Sequence, residues 1–126
     1  MSIIVGMNMG TTLGGKLLKD GGACIIHDNK ILTAIAEERL TRIKHDGGFA
    51  RSLEYCLDTN GCSLDDIDLI VLSSTCESIL SDDSIHKLAL MYKAPIKTVS
   101  HHLSHAYSAF AVSPFDEALI VVMDAG

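Results

Sequence analysis

Three of the chain's six histidines fall within five residues, in His101-His102-Leu103-Ser104-His105. On a helix, side chains four apart share a face, with roughly 6 Å between their Cβ atoms. His101 and His105 could therefore hold one metal ion between two imidazole nitrogens. His102 is rotated by about 100° and would serve a different neighbour. Asp124 follows an apolar run and offers a carboxylate as a plausible third ligand. Tyr107, Ser108 and Phe110, further along the same stretch, read as helix packing.

A second group with chemical capacity is basic. Glu37-Glu38-Arg39-Leu40-Thr41-Arg42-Ile43-Lys44-His45 is the most charged segment. A continuous helical turn would stack Arg39 on Arg42 and Arg42 on His45. Guanidinium forks bind carboxylate or phosphate at two points. The alternative is a solvated turn with local Glu–Arg pairs of little energetic weight. A third group is the glycine-rich stretch from Met9 to Gly22, whose backbone N–H groups could face phosphate. It lacks the Walker spacing, and a long hairpin is the competing reading.

The elements that must position these groups follow from periodicity. Ser2–Met7 reads as a buried strand. Ala23–His27 and Lys30–Ala36 read as strands around the turn Asp28-Asn29. Ala50–Asn60 is helical, with Leu53, Cys56 and Leu57 on one stripe. Asp68–Ser73 is a buried strand. Ser81-Asp82-Asp83-Ser84 opens a second helix, which Lys93-Ala94-Pro95 stops. Ile96–Val99 is a short strand, and Ser100 caps the histidine helix, which runs to about Val112. Glu117–Met123, centred on Ala118–Val122, completes the order βββαβαβαβ as a buried last strand. A mixed sheet opening on a three-strand meander matches one lobe of a ribonuclease-H-like, actin-like α/β fold. A doubly wound sheet would not open on a hairpin. Ligands of such sheets gather at the carboxyl ends of the strands, where the glycine-rich loop, the histidine helix and Asp124 all fall.

Composition excludes several functions. The chain has 126 residues, 48% hydrophobic and 21% charged, as for a single globular domain. A net charge of −6 argues against a nucleic-acid surface. No apolar run approaches the about 18 residues of a membrane span, and no signal peptide is visible. Cys24, Cys56, Cys62 and Cys76 form no C-x-x-C pair, so free thiols in a reducing cytoplasm are expected.

Two stretches resemble a known family. Ala36-Glu37-Glu38-Arg39-Leu40-Thr41-Arg42-Ile43-Lys44-His45-Asp46-Gly47-Gly48-Phe49 resembles the N-terminal signature of the NodU/CmcH-type O-carbamoyltransferases. So does His101-His102-Leu103-Ser104-His105-Ala106 with Ser108-Ala109-Phe110, Ser113-Pro114-Phe115, Ala118 and Asp124. The resemblance implies an actin-like domain in an enzyme that moves a carbamoyl group from carbamoyl phosphate to a hydroxyl of a small-molecule acceptor. It does so through a carbamoyl-adenylate made with ATP. It implies His101, His105 and Asp124 as ligands of a divalent metal, Fe(II) by the family pattern. Arg39, Arg42 and Lys44 would line the adenylate or carbamoyl site, together with Asn8 and Asp20. His102 or His45 would take the acceptor's proton.

The sequence departs from the family pattern in three places. Lys19-Asp20 stands where members carry His-Asp, after an inserted glycine-rich stretch. Asp124-Ala125-Gly126 stands for Asp-Gly. Residues 1–126 correspond to the first lobe only, without the second lobe and the YrdC-like domain, so the chain alone is expected to be inactive. The competing readings are an ATPase or sugar-kinase lobe of the same superfamily, for which Gly10-Thr11-Thr12 lacks the preceding aspartate, and a non-catalytic regulatory lobe. A homodimer is compatible with all of them.

Overall fold

The computed structural model describes residues 2–9, 19–74 and 81–124. The core of the glycine-rich stretch, residues 10–18, lies outside the described residues, as does Cys76. Five strands form one mixed sheet in the order β3-β2-β1-β4-β5. They are β1 (Ile3–Asn8), β2 (Gly22–His27), β3 (Lys30–Ala36), β4 (Leu69–Ser73) and β5 (Ile96–Thr98). β1, β2 and β3 pair antiparallel, while β4 and β5 run parallel to β1. The β2–β3 turn forms because Asp28 and Asn29 both take positive φ, 50° and 62°. Asx residues tolerate that conformation, and its twist matches the flanking strands.

Alternation decides the faces. Val5 and Met7 pair with Ile25 and Ala23 on one side and with Ile70 and Leu72 on the other, so all six share a face. That face is buried under α2 (Ala50–Thr59), through Leu53, Cys56 and Leu57, and under α3 (Asp82–Tyr92), through Leu88. The opposite face presents Gly6, Asn8, Gly22, Cys24, Val71 and Ser73. With Val99, Ser104 and Tyr107 they line a cavity of ≈ 450 Å³, which places α4 (His101–Ala111) on that side.

Two expectations are corrected. Glu117–Met123 forms no strand among the described residues, and it is not buried: Leu119 is 93% and Met123 90% exposed. A strand exists only through a hydrogen-bonded neighbour, and the five-strand ladder does not include this segment. The element order is therefore βββααβαβα, with a short helix α1 (Glu37–Thr41) in addition. The basic segment is also not one helical turn. α1 ends at Thr41, and Arg42 and His45 take positive φ, 62° and 59°.

One buried charge fixes this region. α2 opens after Phe49 with no side-chain cap of its own. Glu37, only 4% exposed, supplies the missing acceptor from outside the helix. Its Oε1 accepts from Ser52 N and Ser52 Oγ, both at 2.7 Å, and its Oε2 accepts from Arg51 N at 3.3 Å. A carboxylate is favoured there by the unpaired N–H groups and the helix dipole. Glu37 N in turn donates to Gly21 O at 2.9 Å. A Cβ on Gly21 would meet Gly48 O at 1.8 Å, so the two loops touch as bare backbone.

Replacing Glu37 by alanine leaves the α2 amides and the Ser52 hydroxyl unpaired. Urea unfolding should show a loss of about 2–3 kcal/mol. A loss under about 0.5 kcal/mol would remove Glu37 from this role. Gly21→Ala should destabilise comparably, through backbone collision.

Candidate functional site

The structure gathers the candidate residues into three groups at or beside the carboxyl edge of the sheet. That edge is locked by Met9 N donating to Ser73 O (2.8 Å) and Ser74 Oγ donating to Met9 O (2.9 Å). Val99 N donates to Leu72 O (3.0 Å), carrying the chain past β5 to Ser100. Ser100 Oγ accepts from Leu103 N (3.2 Å) and starts α4 at His101.

The first group lies on α4. His105 Nε2 is 3.3 Å from His101 Nε2, and His101 Nε2 is 2.5 Å from Asp124 Oδ2. His105 Nε2 lies 4.0 Å from the same oxygen. All three donor atoms fall within 4.8 Å of one another. Donors about 2.1 Å from a shared ion sit roughly 3.0–3.5 Å apart. The His–His spacing meets that directly. The carboxylate would have to ease away from His101 and towards His105. Two imidazoles and one carboxylate on one side of a point are the donor set of facial non-haem iron sites, and they also suit zinc. His102 Nε2 is 3.9 Å from Asp124 Oδ2, and its side chain is 67% exposed, so it stands at the rim.

The second group is Arg39, Arg42 and Lys44, which with Glu38 line one concavity of ≈ 350 Å³. The turn that breaks the helix after Thr41 is what wraps these side chains around a hollow. It is shaped by Asp46, whose Oδ1 accepts from Gly48 N at 3.0 Å. The Thr41 hydroxyl, then the Gly48 N–H and the Arg51 guanidinium, hold the Asp46 carboxyl below its ordinary range.

The third group joins Asn8, Asp20 and His45. His45 Nδ1 lies 2.8 Å from Asp20 Oδ1, and Asn8 Nδ2 donates to Asp20 O at 2.7 Å. Asn8 thus braces the Asp20 backbone and also lines the large cavity, whose far wall is Ser104 and Tyr107 of α4. Tyr107, read above as packing, is a cavity residue and 63% exposed.

Sequence reasoning did not single out Glu37 or the cavity. A signal for Glu37 existed: α2 begins without Ser, Thr, Asp or Asn at its cap, so an acceptor must come from elsewhere.

With this geometry in hand, comparison with known proteins is decisive for the family. Residues 11–84 match the model of the carbamoyltransferase N-terminus. The chain belongs to that family. The matched span holds Asp20, Arg39, Arg42, Lys44 and His45 and ends before α4. Nodulation protein NolNO of Sinorhizobium fredii is 35% identical over 90% of this chain and 20% of its own length. An uncharacterized protein of Synechocystis sp. is 31% identical over 83% of this chain and 23% of its own length. The chain thus spans about a fifth of these relatives. Among solved structures, YeaZ from Pseudomonas aeruginosa superposes with a TM-score of 0.53 at 16% identity, over 86% of this chain and 49% of that one. That likeness supports the actin-like fold expected from the strand order. No helix among the described residues is long and apolar enough to cross a membrane.

Thiol chemistry at the cavity is disfavoured. Burial pushes the Cys24 thiol up, against a lowering contact with the Gly6 backbone, and burial with neighbouring Cys24 pushes Cys56 up to about 11. Iodoacetamide at pH 7.5 should leave both unlabelled in the folded chain and label both in denaturant. A thiol whose folded pKa is raised contributes stability fully present below its unfolded pKa. Stability should therefore fall as pH rises from 9.0 to about 11, and Cys56→Ser should flatten that fall.

Proposed function

We propose that this chain forms the first lobe of an O-carbamoyltransferase that passes a carbamoyl group from carbamoyl phosphate, by way of an ATP-derived carbamoyl-adenylate, to a hydroxyl of a small molecule. The observation that carries this reading is the convergence of His101, His105 and Asp124 on one point in a chain of this family. A divalent ion held there, Fe(II) in this reading, would polarise the carbamoyl carbonyl or hold phosphate oxygens. Arg39, Arg42 and Lys44 supply three cationic donors in one hollow and would hold the adenylate phosphate. Glu38, on the same wall, keeps the hollow from being uniformly positive and favours an anion that also offers a hydrogen-bond donor, as a carbamoyl amide does.

The lobe also supplies shape. The cavity beside α4 is open and floored by Gly6, Gly22 and Val71, so part of a substrate could lie flat on the sheet between Asn8 and Tyr107. A small acceptor with an apolar body and a hydroxyl fits this surface better than a polyanion. The exposed position of His102 at the metal rim makes it one candidate for contact with the acceptor.

Calorimetric titration of the chain with Co(II) or Zn(II), or with Fe(II) under anaerobic conditions, should reveal one site with roughly micromolar Kd. His101→Ala and His105→Ala should abolish it, and Asp124→Ala should weaken it about tenfold or more. Binding unaffected by both histidine substitutions would sink the metal assignment. In the full-length protein, Arg39→Ala with Arg42→Ala should raise the KM for ATP with a smaller change in kcat.

A further inference from the structure

The contact between Asp20 and His45 is built rather than incidental. The residues lie 25 apart in sequence, and both occupy the left-handed region, at φ 57° and 59°. Non-glycine residues held there by their surroundings concentrate at functional sites. Four hydrogen bonds do the holding. Asp20 N donates to His45 O (3.2 Å) and Gly21 N to Asp46 O (2.9 Å). Asn8 Nδ2 donates to Asp20 O (2.7 Å), and Glu38 Oε2 accepts from His45 N (2.9 Å). The side chains then meet at Nδ1, while Nε2 makes no hydrogen bond among the described residues and the imidazole stays half exposed.

We propose that Asp20 and His45 form a carboxylate–imidazole dyad, with Asp20 the positioning residue and His45 Nε2 the group that accepts the proton of the carbamoyl acceptor. Asp20 takes the hydrogen bond from Nδ1–H, which fixes the neutral tautomer and leaves the Nε2 lone pair directed outward. In the step, the acceptor oxygen forms a bond to the carbamoyl carbon and its proton passes to Nε2. The bond from that carbon to the adenylate oxygen breaks, and AMP departs with the electron pair. His45 rather than His102 takes this part, because His102 approaches Asp124 within the metal group and its nearest carboxylate is a proposed ligand. This assignment rests on the carbamoyl-transfer reading, but the dyad itself can be tested apart from it.

Two-bond 15N–1H spectra of the chain should show neutral His45 protonated at Nδ1 and bare at Nε2. Asp20→Ala should move the population to the Nε2–H form that free imidazole favours, with an unchanged circular dichroism spectrum. Asp20→Asn, whose amide oxygen can still accept from Nδ1, should retain the Nδ1–H form. An Nε2–H majority in the unsubstituted chain would overturn the dyad. In the full-length protein, His45→Gln should lower kcat for transfer by about a hundredfold or more, and Asp20→Ala by roughly tenfold, with little change in the acceptor's KM. Carbamoyl phosphate-dependent release of pyrophosphate from ATP by the unsubstituted protein reports formation of the adenylate independently of the transfer step. Transfer unchanged in His45→Gln would overturn the proton-acceptor role. Absence of that pyrophosphate release from the unsubstituted protein would instead overturn the carbamoyl-transfer reading, leaving the tautomer to decide the dyad.

Discussion

The region around the basic loop depends on a carboxylate held where α2 has no cap. Burying a charge is expensive unless it is fully hydrogen-bonded. Glu37 meets that condition by taking two N–H groups of the first turn of α2, those of Arg51 and Ser52, and the Ser52 hydroxyl. Among the described residues, no buried side-chain nitrogen or oxygen lacks a partner, so the polar interior here is closed. Glu37 also stands where β3 ends, so the same side chain couples the end of the sheet to the start of the covering helix. Its neighbours must then come close. A Cβ on Gly48 would lie 2.8 Å from Glu37 Oε2, and one on Gly21 would collide with Gly48 O. The two loops meet without side chains between them, and that contact seats His45 on Asp20 and turns Arg39, Arg42 and Lys44 around one hollow.

The helix pair on α4 is positioned by a different logic. Nothing of α4 is buried, and its hold on the sheet comes through β5, the Ser100 cap and the wall of the cavity. His101 and His105 are therefore preorganised by the helix itself, whose i, i+4 spacing needs no core. Asp124 is brought from outside the helix, at the end of an exposed apolar segment. Of the three donors it is the one whose place depends most on long-range geometry. Were a metal held there as proposed, two local donors and one distant one would couple its binding to the docking of the segment that carries the third.

Much of this was legible in the sequence because it is local. The 3.6-residue stripe of Leu53, Cys56 and Leu57, the Asp28-Asn29 turn, the Ser100 cap and the His101–His105 spacing each involve residues within one element, and each stands in the structure as read. The opening three-strand meander was read as well, whereas the parallel pairing of β1 with β4 that completes the order β3-β2-β1-β4-β5 is seen only in the structure. What failed was non-local. Glu117–Met123 carries strand composition, but composition cannot supply the neighbour that makes a strand. Glu37 sits in a run of charges whose pattern reads as solvated surface, and only the uncapped start of α2 betrays its burial. The break after Thr41 depends on Arg42 adopting a left-handed cap, which no glycine or asparagine announces.

That break is also what separates the chemistry into distinct parts. Had Glu37–His45 continued as one helix, Arg42 would stack on both Arg39 and His45, and the imidazole would stand beside the guanidiniums. Instead the left-handed turns at Arg42 and His45 divide the segment. The guanidiniums and Lys44 stay on the hollow, and the imidazole is turned to the Asp20 carboxylate. An anion-binding group and a proton-accepting group need opposite electrostatic surroundings, since nearby positive charge favours bound phosphate and disfavours a protonated imidazole. Two φ values above zero in nine residues, stabilised from beneath by Glu37 and Glu38, would let one short segment provide both in the proposed reading.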